Sequence, residues 1–113
     1  MKAYNVRTGK ELSNNVALAD DLLKRMKGLL GKSTMPNGES LWIKPCISVH
    51  TFLMRFPIDV IFLNKRNQVI AAIRNLRPNR VTRLYPKAVS VLELPVGILQ
   101  VTDTREGDEI KIA

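Results

Sequence analysis

The chain of 113 residues has little of what usually carries chemistry, with one cysteine, one histidine and one tryptophan. A single cysteine, Cys46, excludes an intramolecular disulfide, so no oxidising compartment is indicated. Metal binding is not expected, because zinc sites take three or four ligands, and we predict no cofactor. Aromatic residues make up only 5% of the chain, which argues against base-stacking platforms for single-stranded nucleic acid.

Long apolar runs are also absent. Residues 1–7 lack the apolar run of roughly 7–15 residues that marks a signal peptide. No later stretch approaches the roughly 18 apolar residues of a transmembrane helix. We therefore expect a cytoplasmic protein with no membrane partner, and the sequence leaves its oligomeric state open.

The formal net charge of the chain is +8, and acidic residues are absent from segment 65–87. Pro78 argues against a single helix or strand through this segment. A basic face is predicted, and its charge supports attraction to nucleic acid, anionic lipid or an acidic partner without choosing among them. The segment contains seven basic residues: Lys65, Arg66, Arg74, Arg77, Arg80, Arg83 and Lys87.

The residues that are present predict a single domain, 1–113, with one hydrophobic core. Strands are predicted from alternating or continuous apolar runs at 2–6, 16–19, 40–43, 49–54, 58–63, 68–73, 88–94 and 109–112. Short helices are predicted at 20–31 and 96–102. This order does not alternate as in a doubly wound sheet. We predict a mainly β (α+β) fold, a compact β-sandwich or barrel with two short helices at its edge.

Asp59 stands out because it lies inside the most apolar predicted strand, 58–63. A carboxylate there must be paired, hydrogen-bonded or protonated, because burying an isolated charge is costly. In the structural interpretation, Asp59 forms an ion pair with Arg25 or Arg55. In the functional interpretation, its carboxyl group is a functional acid.

Glu93 raises the same question in the predicted strand 88–94. Two buried carboxylates, Asp59 and Glu93, could act as acid and base if they converged. The alternative is that each is neutralised separately by an arginine or a backbone amide.

His50 lies in a segment that combines apolar walls with the polar side chains of Thr51 and Arg55, as ligand pockets do. A histidine hydrogen-bonded within the fold is the plain alternative. Cys46 lies four residues before His50, about 13 Å away along an extended chain. The two could share a site only if the segment bends.

Several motifs resemble the DUF192 family of small proteins of unknown function, over residues 16–112. The opening motif is similar to Ala19-Asp20, Arg25 and Lys27-Gly28-Leu29-Leu30. The central motif is similar to Thr51-Phe52-Leu53-Met54-Arg55 and Pro57-Ile58-Asp59-Val60-Ile61-Phe62. The late motifs are Leu92-Glu93-Leu94-Pro95-Val96-Gly97 and Gly107-Asp108.

The resemblance implies a compact β-rich fold and no established reaction, cofactor or substrate. Many relatives have an Asn-Thr pair after the central motif, whereas here Arg55-Phe56 runs directly into Pro57. Any role of that pair cannot be transferred to this chain.

Three functions follow as hypotheses. The first is a binding or accessory module that holds a small polar molecule or a peptide or protein partner near His50, Arg55 and Asp59. The second is a hydrolase or transferase with Asp59 and Glu93 as acid and base, which requires the two to meet. The third is nucleic-acid binding through the basic segment 74–87, from Arg74 to Lys87. The candidate ligand-binding residues are Arg25, His50, Thr51, Arg55, Asp59 and Glu93.

Overall fold

The computed structural model describes residues 1–20 and 32–113. These contain eight strands and one short helix. The strands are β1 (Ala3–Asn5), β2 (Glu11–Ser13), β3 (Asn15–Ala19), β4 (Glu39–Ile43), β5 (Ile58–Leu63), β6 (Val69–Leu76), β7 (Ser90–Pro95) and β8 (Ile110–Ile112), and the helix is α1 (Ile98–Val101), between β7 and β8.

The strands form two sheets. The small sheet has the order β2-β1-β8, and the large sheet has the order β3-β4-β7-β5-β6. In the large sheet only β3 and β4 run parallel, and the other neighbours are antiparallel. β5 and β7 lie in the interior of the sheet, so every residue of both strands is buried.

The large sheet buries both of its sides. Its inner side packs on the small sheet through a cluster that joins Ile61 and Leu92 to Ala3 and Ile110. Its outer side carries Val60, Phe62 and Val91, which are covered by side chains from loops, including Val49, Met54 and Ala88. A strand buried on two sides is continuously apolar, which accounts for the sequence of β5.

The mainly β fold is confirmed, and so are the interior strand Ile58–Leu63 and its hairpin with β6. The barrel alternative is wrong, because the described strands form two separate sheets. The helix predicted at 96–102 appears as α1. The helix predicted at 20–31 lies outside the described residues except for Asp20, and Arg25 lies there too.

The strand predicted at 49–54 is wrong. Residues 49–54 contain one isolated β-bridge, His50 to Val81, and otherwise no regular strand. Its alternating pattern reflects an irregular loop that buries every second side chain from Val49 to Thr51 and exposes His50 and Phe52. Within the described residues, no helix is long and apolar enough to cross a membrane.

Candidate functional site

Asp59 is fully buried, on the inner side of the large sheet. Its Oδ1 accepts a hydrogen bond from the backbone N–H of Asn75 at 2.9 Å. Its Oδ2 accepts bonds from the N–H groups of Gly97 at 3.1 Å and Leu99 at 3.0 Å. The carboxylate thus joins β6 to the turn that leads from β7 into α1.

The local backbone explains why these donors are available. Ile58 pairs with Leu76 and Val60 with Ile73, so β6 has a bulge opposite Asp59 that turns the N–H of Asn75 toward the carboxylate. Leu99 lies in the first turn of α1, where helix N–H groups have no partner within the helix. The backbone-amide alternative is therefore confirmed for Asp59. No ion pair joins its carboxylate to Arg55, and Arg25 lies outside the described residues.

Glu93 lies on the outer side of the large sheet, between Leu41 of β4 and Val60 of β5. It is 5% exposed, and burial raises the pKa of its carboxyl group to about 7. Within the described ranges, its carboxyl group has no hydrogen bond or ion pair. The expected arginine or amide partner of Glu93 is therefore not among these residues.

The two carboxylates cannot work together. Asp59 is opposite Leu94 and Val60 is opposite Glu93, and residues directly opposite in a sheet share a side. Asp59 and Glu93 therefore point to opposite sides of the large sheet. This corrects the acid–base hypothesis, because the sheet itself separates the two groups.

His50 and Thr51 lie in a different place, on two loops that pair along their length. We call residues 46–56 and 77–88 the paired loops. Val49 O accepts from Thr82 N–H at 2.9 Å, Ile47 O accepts from Tyr85 N–H at 2.8 Å, and His50 bridges Val81. The basic segment is therefore held directly against the segment that contains His50.

Thr51 is the clamp between the paired loops. It is fully buried, and its hydroxyl donates to Arg77 O at 2.6 Å and accepts from Arg80 N–H at 2.9 Å. Its own N–H donates to Arg80 O at 2.8 Å, and its O accepts from Asn79 N–H at 3.0 Å. Thr51 is thus a positioning residue that shapes the basic loop.

Replacing Thr51 with valine keeps the shape of the side chain and removes the hydroxyl. We expect the free energy of unfolding to fall by about 1–2 kcal/mol, because Arg80 N–H loses its acceptor. Amide hydrogen exchange at Arg80 is expected to accelerate as well. Urea unfolding and exchange measured beside the exposed control Thr34→Val test this. Equal unfolding free energies and equal exchange rates at Arg80 in the two variants would contradict the role of Thr51 in joining the paired loops.

The outer surface of the paired loops is unusually apolar. The rings of His50 and Phe52 stack with centroids 5.3 Å apart, and both residues are exposed. Leu53 is the most exposed large apolar residue described, at 79%. Exposed apolar residues on these loops are Ile47, Phe52, Leu53, Val81 and Leu84. Several exposed apolar residues on two paired loops indicate an interaction site more than single scattered ones do.

The paired loops also carry exposed basic side chains. Between Ser40 and Leu92 the sequence has nine Lys or Arg residues and one acid, Asp59, which is buried. The exposed basic residues on or beside the paired loops are Arg55, Arg74, Arg77, Arg80, Arg83 and Lys87. In the part of the chain that the structure describes, the ion pairs belong to Arg7, with Asp103 and Asp108, so no carboxylate neutralises this group. We call the exposed apolar and basic residues together the loop face.

The remaining candidates do not form a reactive centre. The thiol of Cys46 donates to Ser48 O at 3.0 Å, while His50 is exposed and stacked on Phe52. Among residues 1–20 and 32–113, no three His, Cys, Asp or Glu side chains gather as metal ligands do. The structure thus brings together His50, Thr51 and the basic segment. Arg55 is exposed and follows them closely in the sequence. Asp59 and Glu93 lie apart from this group.

Sequence reasoning missed Leu53, Val81 and Leu84 as surface residues. Apolar side chains beside buried positions are read as core, and nothing in the pattern distinguishes Leu53 from Met54. The backbone supplies the missing signal, because Leu53 has φ 66°, a left-handed conformation that leucine rarely adopts. Here the conformation turns the side chain away from the core.

Comparison with known proteins agrees with this architecture. The sequence model of the DUF192 family, described as uncharacterized, matches residues 4–112. A UPF0127 protein of Pyrococcus furiosus is 33% identical over 95% of this chain and 94% of its own length. A UPF0127 protein of Thermococcus gammatolerans is 34% identical over 94% of this chain and 71% of its length.

The fold also has a counterpart among solved structures. A crystal structure of a protein of unknown function from Novosphingobium aromaticivorans superposes with a TM-score of 0.83 at 18% identity. The match covers 98% of this chain and 82% of that one. At this identity the likeness concerns the fold alone.

Proposed function

Because the chain belongs to the DUF192 family of uncharacterized proteins, we propose a function from its own geometry: it is a binding module that recognises an anionic partner through the loop face. One observation carries the proposal. The paired loops expose apolar side chains together with arginines that form no ion pair with the described carboxylates, and residues 46–56 and 77–88 contain no acidic residue. The cytoplasmic location expected from the sequence is part of the proposal.

The loop face is also a defined surface. Val49, Thr51 and Met54 are buried and anchor one loop, while Ala88 is buried and Tyr85 packs on Phe62 with ring centroids 4.3 Å apart to anchor the other. The exposed residues between these anchors are held on a fixed backbone. A preorganised surface loses less conformational entropy when it binds than a flexible one does.

The first binding hypothesis changes in one respect. Asp59 no longer belongs to it, because its carboxylate is buried and holds three backbone N–H groups. His50 and Arg55 remain exposed. The binding surface is therefore basic and apolar, which favours an anionic partner over a cationic one.

The test removes charge from the loop face. We expect Arg55→Gln, Arg77→Gln and Arg80→Gln together to weaken binding to an anionic probe by about 100-fold at low salt, since each basic residue near an anionic surface contributes about fivefold. The control Lys65→Gln, Arg66→Gln and Lys111→Gln removes the same charge from exposed positions elsewhere.

Three probes serve for this titration: poly-L-glutamate, a single-stranded oligonucleotide, and vesicles that contain phosphatidylglycerol. At least one is expected to bind, more weakly at higher salt. Equal weakening in the two triple variants would show that net charge alone acts. That result, or the absence of binding to all three probes, would overturn the proposed function.

A further inference from the structure

We propose that the anionic partner is a lipid surface, into which Leu53 inserts while the arginines of the loop face contact lipid phosphates. This inference rests on the proposed function and names its partner. It revises the expectation of no membrane partner, which considered only spanning segments. Adsorption to a surface needs an apolar tip and positive charge and does not need a spanning helix.

Leu53 is the most exposed part of the loop face. It is 79% exposed, with Phe52 at 48% beside it and Val81 at 63% on the facing loop. A side chain this exposed projects into solvent. A partner that buries it must therefore have a matching cavity or a surface that deforms around the side chain. A lipid bilayer is deformable, and aliphatic side chains insert into it without a preformed pocket.

The backbone at Leu53 also points to a binding role. A left-handed leucine, here at φ 66°, is strained because its Cβ crowds the following carbonyl group. The N–H of Leu53 donates to Asn79 Oδ1 at 3.4 Å, which ties this conformation to the facing loop. The fold thus holds an apolar side chain in water at a conformational cost, an arrangement expected of a residue that serves binding.

The charge of the loop face matches that of an anionic lipid surface. Arg55, Arg77 and Arg80 are exposed and lie on the paired loops with the apolar tip, and the sequence of these two loops contains no acidic residue. Arginine binds phosphate oxygens with two parallel hydrogen bonds. The phosphates of anionic lipids lie just above the acyl region, so a tip that inserts brings these arginines to the correct depth.

The aliphatic character of the tip favours lipid over nucleic acid. Single strands bind through aromatic rings on which bases stack. On the loop face, the rings of His50 and Phe52 stack on each other, while Leu53, Val81 and Leu84 offer no stacking surface. Tyr85 packs against Phe62 in the core.

Binding to four probes tests the inference, measured by cosedimentation for the vesicles and by titration in solution for the soluble polymers. The probes are vesicles of phosphatidylcholine and phosphatidylglycerol at 3:1, vesicles of phosphatidylcholine alone, poly-L-glutamate and the oligonucleotide. The variant is Leu53→Asn, because asparagine tolerates a left-handed backbone and the fold is kept. The control is Val101→Asn, which removes an apolar side chain that is 64% exposed at α1, outside the paired loops.

We expect binding to the phosphatidylglycerol vesicles, a loss of binding at high salt, and about tenfold weaker binding for Leu53→Asn with no change for Val101→Asn. Wild-type affinity in Leu53→Asn would overturn insertion. Tighter binding to poly-L-glutamate or to the oligonucleotide than to vesicles would overturn the lipid assignment and leave the proposed function standing. Failure of all four probes to bind would remove both.

Discussion

Replacing Asp59 with alanine is expected to lower the free energy of unfolding by about 4 kcal/mol, because three backbone N–H groups lose their acceptor and each unsatisfied group costs about 1–3 kcal/mol. Asn75 and Leu99 would then be left without the bond that fixes the β6 bulge and the first turn of α1. Urea unfolding measures the loss directly.

The conservative variant Asp59→Asn gives a graded result. Its amide keeps one oxygen acceptor and presents an NH₂ group to the other donors, so we expect about half of the loss seen with alanine. The exposed control Glu106→Ala is expected to change stability by less than about 0.5 kcal/mol. A stable Asp59→Asn protein that has lost binding would contradict the structural role and would restore Asp59 to the binding site.

Replacing Glu93 with glutamine is expected to stabilise the protein at pH 8 by up to about 3 kcal/mol and to change it little at pH 4. Burial raises the pKa of Glu93 from 4.5 to about 7. Between these values the unfolded chain has lost the proton while the folded chain still holds it. The contribution of Glu93 to stability therefore falls as the pH rises from about 4.5 to about 7, and stays lower above that.

Unfolding free energies measured between pH 4 and pH 8 test this. Glutamine has the shape of a protonated glutamate and does not titrate, so the pH-dependent difference belongs to Glu93. Glu109→Gln, at an exposed position, provides the matched control. Parallel pH curves for wild type and Glu93→Gln would show that the Glu93 carboxylate has a partner in the folded protein and would contradict the account.

The fold could be predicted where burial alone decides it. The run from Ile58 to Leu63 is apolar on both faces, which requires an interior strand, and the chain reversal at Asn64 predicts its hairpin with β6. The short β2 was not predicted, because three residues carry too little pattern. The run from Val49 to Met54 predicted a strand, because its residue types favour strands and its alternation from Val49 to Phe52 reports burial and not hydrogen bonding.

The candidate site could be predicted only in part. The sequence showed that Asp59 needs a partner. Its hydrogen-bond donors lie 16, 38 and 40 residues away along the chain. They are backbone N–H groups, so the residue types at those positions do not identify them as partners. Likewise, the basic segment was evident from composition, whereas its pairing with the loop that contains His50 depends on Thr51 and on main-chain bonds. Local sequence does not encode either contact.

The most direct test of the loop face is a map of where an anionic surface touches the folded protein. Backbone amide signals of the ¹⁵N-labelled chain would be followed during titration with bicelles that contain phosphatidylglycerol. If the loop face binds the anionic surface, shifts are expected to concentrate at residues 49–55 and 77–87, with the largest changes around Leu53 and Arg80. Shifts confined to β3 and β4, or spread over all exposed lysines and arginines, would contradict it.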